Sequence, residues 1–348
     1  MKKPAFCAIL LVVAMFLTGA LPAAAAPRYT YKQVCTLWDT TPHALNNAGQ
    51  VVGQDGNHAF LYSGGGLQDL GTLPAPYNFS SEAFGINTAG QVVGDSTNNG
   101  LPHAFLFSAS GKLDLNPFFT NPTSIESGAT CINGAGWVAG WYTTSAGPDH
   151  AFLYSNGGMT DLGIIPGGLH SYAYGINDAG QVVGQCVYGG TNFHHAFLWN
   201  GVMQDLGTLA APYNAGSYAS AINANGQVVG WADTSSGGKH AFLGGLGGLN
   251  DLGTLGGGGS QAFGINKSGQ VVGSAGVSGG GSHAFLYSGG VMLDLNSLLV
   301  QSLPAGEVLV TTVGINDRGQ ILANSSVYGY LLTPVTALGS PDLLLLLQ

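Results

Sequence analysis

Six histidines stand at the head of one short phrase, written HAFLYS at residues 58–63 and 283–288 and with small changes at His103, His150, His195 and His240. Each is followed ten or eleven residues later by an aspartate: Asp69, Asp114, Asp161, Asp205, Asp251 and Asp294. A serine in the pattern S-x-A precedes many of the copies' neighbours, at Ser81, Ser127, Ser171, Ser217 and Ser260. Serine, histidine and aspartate are the residue types of nucleophile, base and orienting acid in acyl transfer. Whether they can act together depends on the elements that carry them.

The phrase G-I-N-x-x-G-Q-V-V-G recurs around Asn46, Asn87, Asn133, Asn177, Asn223, Asn266 and Asn316, a mean period of 45 residues. Each period reads as four short strands. The first is A-x-G-I-N and the second Q-V-V-G, with N-x-x-G between them as a type I turn; the third is H-A-F-L-Y and the fourth D-L-G-T-L, joined by Gly/Ser turns. No stretch beyond the N-terminal segment has a helical period. Four strands in 45 residues is the size of one β-propeller blade. The seventh copy lacks D-L-G-T-L after Tyr328–Thr333, while Gln33–Leu37 ahead of the first copy aligns with Asp69–Leu73. The sequence therefore predicts an all-β protein, a seven-bladed propeller of four-stranded blades over residues 29–334, closed by its N-terminal strand and followed by a tail at 335–348.

These phrases resemble the repeat of the bacterial extracellular HAF-repeat family, over nearly the whole chain after the N-terminal segment. The resemblance implies export and a repeat architecture. It implies no activity, because that family is defined by its repeat. Family members often end in an anchoring or sorting tail, whereas Leu343–Leu347 is five leucines with no basic flank.

On this frame the triad fails. A turn near Gly65 would pair His58 with Thr72 and Asp69 with Leu61, leaving histidine and aspartate about 10 Å apart along the hairpin. Neighbouring blades would hold their histidines more than about 10 Å apart, whereas zinc needs ligands within about 2.1 Å. We therefore expect no catalytic residues, metal or cofactor among the repeated set. Each histidine is expected to tie the outer hairpin to a neighbouring Thr or to the S-x-A loop, and each aspartate to cap the turn between third and fourth strands.

Residues 1–25 read as a signal peptide, with Lys2 and Lys3, an apolar stretch from Ala5 to Leu21, and small residues before the cut. The apolar stretch is short for a membrane span, so a secreted, extracellular protein with no span in its mature chain is expected. Without Lys2 and Lys3, 6 basic residues face 17 acidic ones, a net charge of −11. Nothing basic is clustered, which argues against nucleic acid. Charged residues make up only 7% of the chain and Gly numbers 58, so Gly, Ser, Thr and Asn must cover much of the surface. Cys35, Cys131 and Cys186 have no metal-ligand spacing and allow at most one disulfide, with buried free thiols expected.

Strands alternate in direction, so the near-identical N-x-x-G and Gly/Ser turns fall on one face of the ring. The variable connections fall on the other, with Tyr77, Trp141, Tyr142, Tyr188, His194, Tyr213 and Trp231 in or beside them. Trp141, Tyr142, Trp231, Tyr77, Tyr213 and His194 are the candidate ligand-binding residues, since aromatic side chains on variable loops stack on sugars or anchor proteins. Trp141 and Trp231 share one repeat position, and exposure is expected there. Asp95, Asp149, His170, His194 and Asp233 lie on this face in different blades, with nothing to make them meet. The expected function is a monomeric binding or interaction scaffold for a glycan or envelope protein. A purely structural repeat protein, or a propeller hydrolase or lyase acting on polysaccharide, is the alternative.

Overall fold

The computed structural model of the protein describes residues 26–76, 78–98, 101–119, 126–144, 147–188, 193–210 and 215–335. Among them, 28 strands form seven antiparallel sheets of four, and six of the sheets are built from strands consecutive in sequence. In the seventh, Arg28–Thr36 lies outermost beside Tyr328–Val335, with Arg28 opposite Val335 and, past a one-residue shift between Gln33 and Cys35, Thr36 opposite Tyr328. The ring is thus closed by the N-terminal strand, as the missing fourth strand of the last repeat requires. That strand starts earlier than the Gln33–Leu37 alignment indicates, and its Tyr29 is 1% exposed against the last blade.

The first strand of every blade is innermost, and each touches the first strands of the blades on either side, with blade 7 touching blade 1. Apolar residues pack between blades: one cluster joins Ala139, Ala151 and Leu153 of blade 3 to Ala173, Val182 and Phe197 of blade 4. The phenylalanines of H-A-F (Phe60, Phe105, Phe152, Phe197, Phe242 and Phe285) are each at most 1% exposed. Burying one such ring is worth about 1.5–3 kcal/mol, so the repeated phrase is chiefly a packing element.

One irregularity recurs in all seven blades. The pairing of first and second strands slips at the x of A-x-G-I-N: His43, Phe84, Thr130, Tyr174, Ser220, Phe263 and Val313 are each the extra residue of a β-bulge. In six blades a glycine, that of Q-V-V-G, lies against the bulge with no room for a side chain. A Cβ at Gly53, Gly94, Gly140, Gly184, Gly230 or Gly273 would fall 1.8–1.9 Å from a first-strand carbonyl oxygen. Only in blade 7 does an alanine, Ala323, take that place. A bulge re-aims the side chain it carries, and here it turns x toward the axis.

At one end of the axis the seven turn asparagines close a ring. Asn46 Nδ2 donates to Asn87 O, Asn87 to Asn133, Asn133 to Asn177, Asn177 to Asn223, Asn223 to Asn266, Asn266 to Asn316, and Asn316 back to Asn46, at 2.9–3.3 Å. In six of the seven, Nδ2 also donates to the glutamine four residues on, as in Asn46 to Gln50 at 2.7 Å. Blade 3 has Trp137 in place of that glutamine. Each asparagine also accepts from the backbone of its own turn, as Asn46 Oδ1 does from Ala48 N and Gln50 N. Such saturation lets these amides be 3–5% exposed without an unmet polar group.

Candidate functional site in the axial cavity

The repeated histidines and aspartates do meet, against the sequence expectation. Nδ1 of His58, His103, His150, His195, His240 and His283 lies 2.7–3.3 Å from a carboxylate oxygen of Asp69, Asp114, Asp161, Asp205, Asp251 and Asp294 respectively. The reason is a one-residue difference in register. Asp69 pairs with Phe60 rather than Leu61, which puts it on the face that His58 shares with Phe60, diagonally opposite it. The same Phe–Asp pairing recurs in the other five blades.

The aspartates cap the turn after the fourth strand, not the one before it. Gly71 N donates to Asp69 Oδ1 at 2.6 Å, and Gly163, Gly207 and Gly253 repeat the contact. It is the S-x-A serine that ties one blade to the next. Ser81 Oγ accepts from Ala59 N at 2.9 Å and donates to Gly71 O at 2.5 Å, and Ser171, Ser217 and Ser260 do likewise. In these blades the serine hydroxyl is committed to backbone atoms of the preceding blade, the reverse of an activated nucleophile. The His195 pKa is raised, chiefly by its hydrogen bond to Asp205. Burial alone would raise Asp205, but His195 and Gly207 N hold it below the usual carboxylate range.

At the end of the axis opposite the asparagine ring lies a cavity of about 890 Å³, to which all seven blades contribute. All seven bulged residues line it, together with Asp95, Trp141 and Trp231 from second strands and Tyr218, Gln261 and Thr311 from first strands. Aromatic rings form an arc over blades 3 to 5. Tyr174 stacks on Tyr218 with centroids 4.8 Å apart, Tyr218 on Trp231 at 5.9 Å and 6°, and Trp141 meets Tyr172 edge-on at 6.1 Å. Lys239 Nζ covers Trp231, 3.9 Å from its ring centroid. Gln185 Nε2 donates to the Tyr174 hydroxyl at 3.0 Å.

Blade 2 supplies the acidic group of the lining, Asp95, with Glu82 next to it. Glu82 and Asp95 are directly opposite on neighbouring strands, and Glu82 Oε1 is 2.6 Å from His43 Nε2. Burial, then the Glu82 charge, pushes the Asp95 carboxyl up to about 7. Ser220 Oγ and Thr312 Oγ1 line the cavity with no hydrogen-bond partner, and Thr312 is 3% exposed.

The candidates from sequence divide accordingly. Trp141 and Trp231 reach the cavity, but from strands Val138–Thr143 and Val228–Asp233 and half-buried, not from exposed loops. Tyr142, one residue along, points to the other face of its strand and stacks on Phe119 at 4.5 Å; burial pushes its hydroxyl up to about 12. His194 Nδ1 is buried without a partner, and burial, aided by Lys239, lowers its pKa. Tyr77 and Tyr213 lie outside the described residues. Two of the scattered residues meet: Asp149 N donates to His170 Nδ1 at 3.0 Å, and the Tyr172 hydroxyl donates to Asp149 Oδ2 at 2.6 Å. Asp95 meets Glu82, which the sequence reading did not single out. The signal was present in the x of A-x-G-I-N, which reads His, Phe, Thr, Tyr, Ser, Phe and Val, from ring to small hydroxyl, while its neighbours vary mainly among small residues.

Cys35, Cys131 and Cys186 are free thiols. Burial raises all three, Cys131 to about 12 and Cys186 to about 11. No helix among the described residues is long and apolar enough to cross a membrane.

No family model matches this chain, and no curated protein does. Among solved structures, YCF48 bound to a D1 peptide is similar with a TM-score of 0.52 and 12% identity, over 92% of this chain and 100% of that one. The extracellular domain of a protein described as a one-component system of B. thetaiotaomicron is similar with a TM-score of 0.51 and 11% identity, over 89% of this chain and 40% of that one. At such identities the likeness is one of fold: this is a seven-bladed β-propeller among propellers.

Proposed function

We propose that this protein is an exported binding propeller of the HAF-repeat type that takes a sugar into the axial cavity opposite the asparagine ring. The observation that carries the reading is convergence. The most variable letter of the repeated phrase is bulged in all seven blades and comes together at one place, where a scaffold needing only to pack would have no use for six different kinds of side chain. Aromatic rings beside hydroxyl, amide and carboxyl groups suit a ligand with apolar ring faces and polar edges. The basic, apolar, small-residue order of residues 1–25 supports export, and a net charge of −11 supports a partner other than nucleic acid. The committed serine hydroxyls support binding, rather than catalysis, by the repeated Ser, His and Asp residues.

Titration calorimetry against oligosaccharides of envelope polymers tests the reading. Trp141→Ala is expected to weaken the best ligand by about 1 kcal/mol or more, as for an aromatic anchor. Unchanged affinity in both Trp141→Ala and Trp231→Ala variants would remove the aromatic arc from the site.

A further inference from the structure

The groups in and beside the cavity differ in what they leave unmet. Rings from blades 3 to 5 offer faces, and two buried hydroxyls, Ser220 Oγ on blade 5 and Thr312 Oγ1 on blade 7, have no partner. On the blade 2 side, Glu82 has one partner in His43, while Asp95 has no hydrogen bond or ion pair among the described residues. Burial without a partner disfavours the Asp95 carboxylate, and the neighbouring Glu82 charge adds to that. His43 is engaged with Glu82, and Lys239 with the Trp231 ring. What the Asp95–Glu82 pair lacks is a positive charge, and what Ser220 and Thr312 lack is a hydrogen-bond partner.

We propose that the ligand is a sugar bearing a protonated amine, with its ammonium group between Asp95 and Glu82, its ring against the aromatic arc, and its hydroxyls toward Ser220 and Thr312. An ammonium has three donors and no acceptor, so it satisfies both carboxyl groups without competing for the hydroxyls. A plain alkylammonium would meet the acids and leave Ser220 and Thr312 unpaired. A neutral sugar would do the opposite. This proposal rests on the cavity being a sugar site, and its test separates the two.

The test is calorimetry of the mature chain at pH 7 with a β-1,4-linked glucosamine oligomer, its N-acetylated counterpart, a glucose oligomer and propylammonium. The glucosamine oligomer is expected to bind about 10-fold or more tighter than the other three, the scale of one hydrogen bond to a charged group. In the Glu82→Gln, Asp95→Asn double variant that preference is expected to shrink to about 2-fold. If the double variant does not fold, the wild-type preference must instead fall as salt is raised, since it rests on charge. Equal affinity for glucosamine and N-acetylated oligomers would overturn the amine proposal and leave the sugar cavity standing. Binding of propylammonium alone would overturn both, as would the absence of binding by all four.

Discussion

Removing one amide from the asparagine ring has a cost that can be worked out from its partners. Asn177 is 5% exposed; its Nδ2 donates to Asn223 O at 3.1 Å and Gln181 Oε1 at 2.8 Å, and its Oδ1 accepts from Gln181 N at 3.0 Å. In Asn177→Ala, Asn223 O keeps its turn bond from Gly226 N at 3.0 Å, and Gln181 Oε1 reaches water. The Gln181 N–H is left orphaned at about 1–3 kcal/mol, and the link between blades 4 and 5 is lost at about 1 kcal/mol more. We therefore expect a loss of about 2–4 kcal/mol in urea unfolding at pH 7. Asn177→Asp keeps the shape but turns an oxygen toward Asn223 O and buries a charge, so it should cost more than the alanine variant at pH 7. The new carboxyl would have a raised pKa when folded. Its penalty is fully present above that pKa and relieved as pH falls through it, so the difference between the two variants should close toward pH 4. If Asn177→Ala matched the exposed control Asn250→Ala within about 0.5 kcal/mol, the ring would be ornamental and the reasoning wrong.

Two further outcomes follow from the titrating groups. His195→Ala is expected to cost about 1–3 kcal/mol at pH 5.5 by removing the charge-assisted hydrogen bond to Asp205, which keeps Gly207 N. Because the folded His195 pKa is raised, its contribution is full below the unfolded value of about 6.5 and is lost as pH rises, so the variant's deficit in melting temperature should shrink by pH 9. Asp95→Asn should act in the opposite sense. The folded pKa of about 7 means that wild type loses stability as pH rises through 7; the variant should melt like wild type near pH 4 and above it at pH 8.5, and equal melting at both pH values would show that Asp95 is not held in a charge-poor site.

Blade number, strand order and ring closure were legible because phrases of Gly, Asn and apolar residues recur with little change and the one missing strand has a visible replacement. Register was not. Alternation fixes which residues of a strand share a face, but a one-residue slip between two Gly-rich strands leaves every apolar count intact, so the His58–Asp69 contact was invisible. The asparagines were correctly placed in turns, and turn chemistry already accounted for them. Only the glutamine four residues on, unneeded by a type I turn, hinted at the ring. Trp141 and Trp231 were found because they stand out at one repeat position, although their half-buried setting came from the strand above the bulge. The x position was overlooked because His43, Phe84 and Tyr174 each look ordinary inside a strand; only the bulge, which sequence does not announce, turns them to the axis.

On the proposed function, ligand enters the axial cavity at its aromatic end. The x position holds Phe84, Tyr174 and Phe263 in other blades, so the fold accepts a large ring there, and the Ser220→Trp, Thr130→Trp double variant should fill the cavity without opening the ring. The decisive measurement is the affinity of that variant for the tightest-binding sugar, beside Asp178→Ala on the asparagine face. We predict binding abolished by the filled cavity and unchanged by Asp178→Ala. Full affinity in the filled variant, with loss in Asp178→Ala, would place the site at the other end of the axis and contradict the account.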